Sequence, residues 1–168
     1  QNKNEEAKEL FIKALSINNK IIPAKISLAG NFEQSGNFEK AKEIYEEVIR
    51  NNPEYTIADK SLSLIHKYKL GDEHIEVMER KLSKEINGEG AGRLNFSLGK
   101  AYEDIKDYEK SFKFYENGNK LYKRNINYSI KNEIRNFDEI KNLFKNKNVD
   151  SFNDYGQKII FILGMPRS

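Results

Sequence analysis

Residues Ile22 to Tyr55, IPAKISLAGNFEQSGNFEKAKEIYEEVIRNNPEY, read as two helices joined by a tight turn. Leu28, Ala29 and Phe32 mark the inner face of the first helix, and Phe38, Ala41, Tyr45, Val48 and Ile49 that of the second. Spacings of three and four bring such residues to one side only in a helix. Gly36 takes the turn, and Pro53 closes the second helix because it has no backbone donor and clashes with the preceding turn. Small residues let the two helices cross closely while the aromatics fill the space beside the crossing. A pair of this kind cannot bury its own face, so neighbours of the same kind are expected.

The order Leu28-Ala29, Phe32, Gly36, Ala41, Tyr45, Pro53 resembles the tetratricopeptide repeat, with Lys25 at the position of its usual tryptophan. Ala7, Phe11 and Ala14 precede Ala41, Tyr45 and Val48 by 34 residues each, the tetratricopeptide period, so residues 4–18 read as the second helix of a leading repeat. Its first helix is missing, and further chain upstream is expected. After Pro53 the period slips. Leu62 and His66 fall one period beyond Leu28 and Phe32, yet Ile75 and Glu79 stand where Ala41 and Tyr45 project. Ile75, Met78, Leu82 and Ile86 keep helical spacing, which gives a divergent pair split near Leu70 to Asp72 and ended by the turn Asn87-Gly88-Glu89-Gly90. The pattern returns in LGKAYEDIKDYEKSFKFYENGN (98–119), through Leu98-Gly99, Tyr102, Tyr108, Ser111 and Tyr115. A further helix from about Asn125 is expected to bury Ile130, Ile134, Phe137 and Phe144.

The expected fold is an all-α, right-handed array over residues 1–124: a partial repeat (1–21), a repeat (22–55), the divergent pair (56–90) and a repeat (91–124). A connecting helix spans 125–150, and 151–168 open a second domain. With 38% hydrophobic and 33% charged residues, the 168-residue chain has the composition of a helical array with a broad solvated surface. The absence of cysteine excludes disulfides and thiolate metal sites and fits a reducing compartment, so a cytoplasmic location is expected. The longest apolar run, Ile159 to Leu163, is far short of the ~20 residues a membrane-spanning helix needs, and no membrane partner is expected. Between 118 and 148, eight basic side chains face three acidic ones, but they alternate with asparagines and apolar residues. That reads as a solvated helix face rather than a nucleic-acid site. His66 reads as a packing residue, and His74 opens a helix with no ligand set around it, so no metal site is expected. Glu46-Glu47 and Glu103-Asp104 read as exposed positions without acid–base partners.

Lys158 to Leu163, KIIFIL, is a β-branched and aromatic run ended by Gly164, the pattern of a strand buried on both faces. Followed by Met165-Pro166-Arg167-Ser168, it resembles the 5′-phosphosulfate-binding loop of sulfotransferases: strand, G-x-P-R-S-G-T-T, helix. A tetratricopeptide array running into IIFILGMPRS is similar to the bacterial sulfotransferases that carry such repeats, and the loop is similar to that of tyrosylprotein sulfotransferases. The resemblance implies the start of an α/β, P-loop-like domain that uses 3′-phosphoadenosine 5′-phosphosulfate and transfers its sulfuryl group to a hydroxyl acceptor. In that loop Gly164 would admit the backbone to the phosphosulfate, with Met165 beside it, and Pro166 would stiffen the turn. Arg167 would be the catalytic cation and Ser168 a hydroxyl donor. The chain by itself is expected to be inactive, because the loop stops before the helix whose N-terminal amides would hold the phosphate. Two other readings stand beside it: an ordinary core strand with an unremarked tail, and a P-loop kinase or NTPase, since Gly164 plus four residues also begins G-x-x-x-x-G-K-[ST]. The binding class remains open as well. First-helix residues Gly30, Glu33, Lys100 and Glu103 would line a groove for a peptide or protein, as in a stand-alone interaction module.

Overall fold

A computed structural model gives the structure of the chain and describes residues 2–84, 88–124, 126 and 129–145. Among them are eight α-helices: α1 (Asn2–Ile17), α2 (Ile22–Gln34), α3 (Phe38–Asn51), α4 (Thr56–Ile65), α5 (Glu73–Ser83), α6 (Glu89–Asp104), α7 (Tyr108–Lys123) and α8 (Ile130–Lys145). No strand occurs among the described residues. The expected strand at 158–163, and the loop from Gly164 to Ser168, lie outside them. The chain divides into two units, residues 1–127 with α1 to α7 and residues 128–168 with α8.

The helix starts follow the repeat. Asn37 accepts from the Lys40 amide at 3.3 Å, and Asp107, 70 residues on, accepts from the Lys110 amide at 3.2 Å. Each carboxamide or carboxylate satisfies an amide that the first turn leaves without a partner. The residue before each cap closes the preceding helix in the left-handed region: Gly36 at φ 78° and Lys106 at φ 66°. Glycine meets that demand without strain, whereas Lys106 holds its Cβ against the following carbonyl.

In the first unit α1 packs on α2, α2 on α3, α3 on α4, α4 and α5 on α6, and α6 on α7. Ile22, Ala29, Ala41, Tyr45, Val48, Ile49, Ala58 and Leu62 form one core, contributed by α2, α3 and α4. A second core holds Tyr68, Ile75, Met78, Leu94, Leu98, Ala101 and Tyr102, from α5, α6 and the segment before α5. The divide between the cores therefore runs through the divergent pair: the buried apolar residues of α4 join the first core and those of α5 the second, although α4 also packs on α6 and Val77 of α5 on the first core. At the α6–α7 crossing a Cβ on Gly99 would stand 2.7 Å from the Tyr115 ring, and one on Gly92 would stand 2.5 Å from the Tyr122 ring. Glycine at these positions leaves room for the rings of α7 to lie against the α6 backbone.

Several expectations are corrected. Phe38 is 52% exposed rather than buried, as is its counterpart Tyr108 at 64%, because both occupy the first position of a second helix, beyond the reach of the first. Ile130, Ile134 and Phe137 are also exposed: α8 forms, but no second helix of its unit is present among the described residues to cover its apolar face. The break in the divergent pair is wider than Leu70 to Asp72, since α4 ends at Ile65 and α5 begins at Glu73.

Candidate functional site

α4 packs on both α3 and α6 and α5 packs on α6, while the second helices α3 and α5 do not close on each other. Between them lies an open cleft of about 660 Å³ whose floor is Ile49, Leu62 and Val77 and whose rim includes Lys42, Glu46, Arg50, His66 and Glu73. It continues past Ile49 and Val77 into a hollow of about 310 Å³ lined by Pro53, Glu54, Arg80 and Lys84.

The wall of the cleft is held by a buried polar network. Asp59, fully buried on α4, accepts from Lys81 Nζ of α5 through both carboxylate oxygens at 2.8 Å and contacts His74 Nε2 at 3.1 Å. His74 Nδ1 lies 2.8 Å from the Tyr68 hydroxyl, which in turn lies 2.8 Å from Ser63 Oγ. Burial pushes the Tyr68 phenol well up, with nearby carboxylates adding to it, so it stays a neutral hydroxyl. Asp72 caps α5 by accepting from the His74 amide at 3.1 Å, and its other oxygen sits 2.6 Å from His66 Nε2. Burial works against ionisation of Asp72, but these bonds outweigh it and hold the carboxyl below its ordinary value. Each imidazole is thus oriented by a carboxylate, yet no serine, threonine or cysteine lines the cleft to act as a nucleophile beside it. Among the described residues no three His, Cys, Asp or Glu side chains are grouped to hold a metal ion, and no helix is long and apolar enough to cross a membrane.

The segment before α5 is fastened to α6. Asp104 accepts from Lys67 at 2.7 Å, Lys100 at 2.5 Å and the Tyr68 amide at 3.1 Å, and Lys100 also donates to the His66 carbonyl. Burial raises the Asp104 pKa, but the hydrogen bonds from Lys100, Lys67 and the Tyr68 amide prevail and bring it down to about 2. A carboxyl depressed in the folded state adds stability that is present above its unfolded pKa and is lost as pH falls through the folded one. Asp104→Asn should therefore cost on the order of 2 kcal/mol at neutral pH, and the difference from the parent should close between about pH 4 and pH 2. Urea unfolding of both proteins across that range measures it; a difference independent of pH would refute the assignment.

The tetratricopeptide repeat family matches residues 23–55 and 92–125. The chain carries tetratricopeptide repeats. A crystal structure of MamA superposes with a TM-score of 0.56 at 21% identity, over 74% of this chain and 72% of that one. A second MamA structure, MSR-1 C2, gives 0.52 at 19% identity, over 74% and 70%. At such identities the likeness concerns the fold alone. A protein of Aquifex aeolicus (strain VF5), described only as uncharacterized, is 30% identical over 167 residues, which make up 97% of this chain and 21% of that protein. The chain thus spans about a fifth of the length of this relative.

The four residues expected to line a groove lie on the first helices α2 and α6, and three of them, Glu33, Lys100 and Glu103, make bonds within the array. Glu33 accepts from the Tyr45 hydroxyl at 3.2 Å, and Glu103, 70 residues on, accepts from the Tyr115 hydroxyl at 2.9 Å. The two pairs are the same tie between first and second helix, and both phenols are pushed up to about 12, first by burial and then by the glutamates. Gly30 faces that tie, its missing Cβ 3.8 Å from the Tyr45 hydroxyl, and Lys100 is turned inward to Asp104. Gly30 and Glu33 share α2, Lys100 and Glu103 share α6, and none of the four lines the α3–α5 cleft. Two acidic pairs also differ from expectation: Asp104 is nearly buried within its bonds, and Glu47 binds Lys25 at 2.5 Å. Gly164, Met165, Pro166, Arg167 and Ser168 lie outside the described residues.

Asp59, Lys81 and Tyr68 were not legible as site residues, yet a signal existed. Lys25 and Glu47 moved by one period of 34 fall on Asp59 and Lys81, the same pair of positions with the charges exchanged.

Proposed function

We propose that the chain is a protein-interaction module and that the cleft between α3 and α5 receives a segment of a partner protein. The observation that carries this reading is the apolar floor of Ile49, Leu62 and Val77, left open by two helices that lean apart, with charged side chains along its rim. Such a groove matches the way repeat arrays take extended peptides or amphipathic helices. Random-peptide display on the full chain tests it. Peptides selected on the parent should lose about tenfold or more in affinity for Val77→Arg, which keeps its helical circular dichroism. Selected peptides that bind the variant as tightly as the parent would place the site elsewhere.

A second reading concerns residues 158–168 and rests on their sequence. The run KIIFIL followed by Gly164-Met165-Pro166-Arg167-Ser168 supports an array that precedes a sulfotransferase domain using 3′-phosphoadenosine 5′-phosphosulfate, with Arg167 as the cation on the sulfuryl group. In that case the module would present the acceptor. Calorimetry with 3′-phosphoadenosine 5′-phosphate on the protein extended past Ser168 decides it, and an absence of binding retires the enzyme without touching the interaction reading.

A further inference from the structure

We propose that the partner segment taken by the α3–α5 cleft is acidic, with apolar anchors on Ile49 and Val77 and carboxylates set against Arg50, Arg80 and Lys84. This rests on the reading of the cleft as a docking site and adds the chemistry of its occupant. The charges of the cleft are not evenly compensated along its length. At the end near the start of α5, Lys42 pairs with Glu46 at 3.8 Å and His66 pairs with Asp72 at 2.6 Å. At the other end Lys81 is consumed by Asp59, and Arg80 and Lys84 face the hollow with Glu54 as the single carboxylate among its lining residues, while Arg50 lines the wider cleft, whose carboxylates are Glu46, Asp72 and Glu73. None of these three cations has an ion-pair partner among the described residues, and all three are exposed. Ile49 and Val77 lie where the two parts of the cleft meet, so an anchor seated there places the neighbouring residues of a ligand beside the cations. The 11 residues of α5 set a cleft length of about 16 Å, enough for about three helical turns or five extended residues. The walls carry no exposed aromatic ring for base stacking, which favours a peptide over a single-stranded nucleic acid.

The test uses two fluorescein-labelled peptides of about 12 residues with identical leucine anchors, one bearing glutamate and the other lysine at the intervening positions. Anisotropy titrations with the full chain are run at about 50 mM and about 500 mM NaCl. The acidic peptide should bind about tenfold or more tightly than the basic one at low salt, with the advantage lost at high salt. The triple variant Arg50→Glu, Arg80→Glu, Lys84→Glu, whose substitutions all lie on exposed positions, should invert the preference. Equal affinity of both peptides, with binding still lost in Val77→Arg, would overturn the charge assignment and leave the docking reading standing. Binding of neither peptide would overturn both. An acidic preference that survives the triple variant, or displacement of the acidic peptide by an oligothymidylate of equal charge, would also overturn the proposal.

Discussion

Lys81→Met should lower the free energy of unfolding by about 3–5 kcal/mol, the usual cost of removing one partner from a buried ion pair. Asp59 is fully buried and its two oxygens both receive Lys81 Nζ at 2.8 Å, so the variant leaves a buried carboxylate with only the His74 contact. The double variant Lys81→Met, Asp59→Leu removes the stranded charge and should regain part of the loss, because burial of an ion pair carries its own desolvation cost. Chemical denaturation of the three proteins at neutral pH gives the comparison. A single variant within about 0.5 kcal/mol of the parent would mean that the pair is solvated in solution.

The second large effect belongs to the α6–α7 crossing. Gly99→Leu should destabilise by about 1–3 kcal/mol or prevent folding outright, because a Cβ alone would sit 2.7 Å from the Tyr115 ring and Leu adds three carbons beyond it. The ring has little room to yield: its hydroxyl is tied to Glu103 at 2.9 Å and it lies 6.2 Å, centre to centre, from Phe96. Ser111 adds a bond to the Gly99 carbonyl at 2.8 Å that fixes the same approach. Thermal unfolding followed by circular dichroism measures the shift, and Gly36→Ala is no substitute control, since Gly36 fails for a backbone reason at φ 78°. A melting temperature equal to that of the parent would place the crossing elsewhere along α6.

The two regular repeats were open to reading from the chain because their signals are local. Small residues at Ala29, Ala41 and Gly99, turns at Gly36 and Lys106, and caps at Asn37 and Asp107 recur at fixed distances, and each is set by backbone geometry. The cleft was hidden because it depends on what two helices fail to do. Ile49 and Val77 have ordinary helical spacing, and only the placement of α5 shows that both line an open cleft. Of the residues expected to line a groove, Glu33, Lys100 and Glu103 also carry bonds not readable from the chain. Polar residues on a helix read as solvent-facing, but Glu33 and Glu103 answer tyrosines twelve residues on, and Lys100 answers Asp104 and a carbonyl 34 residues back. The apolar stripe of α8 shows the converse, since helical periodicity specifies a face without specifying what covers it.

The partition of the apolar residues into two cores has a consequence for the order in which the array opens. Amide protons of α4 should share their exchange free energy with those of α2 and α3, because Ala58 and Leu62 leave solvent together with Ala41 and Val48. Those of α5 should follow α6, with which Ile75 and Met78 are buried. The cooperative segments would then break inside a repeat rather than between repeats, at the seven residues from His66 to Asp72. A partner that bridges α3 and α5 would clamp the two segments together and slow the exchange of both, so occupancy at the cleft would be recorded at amides far from any contact with the ligand.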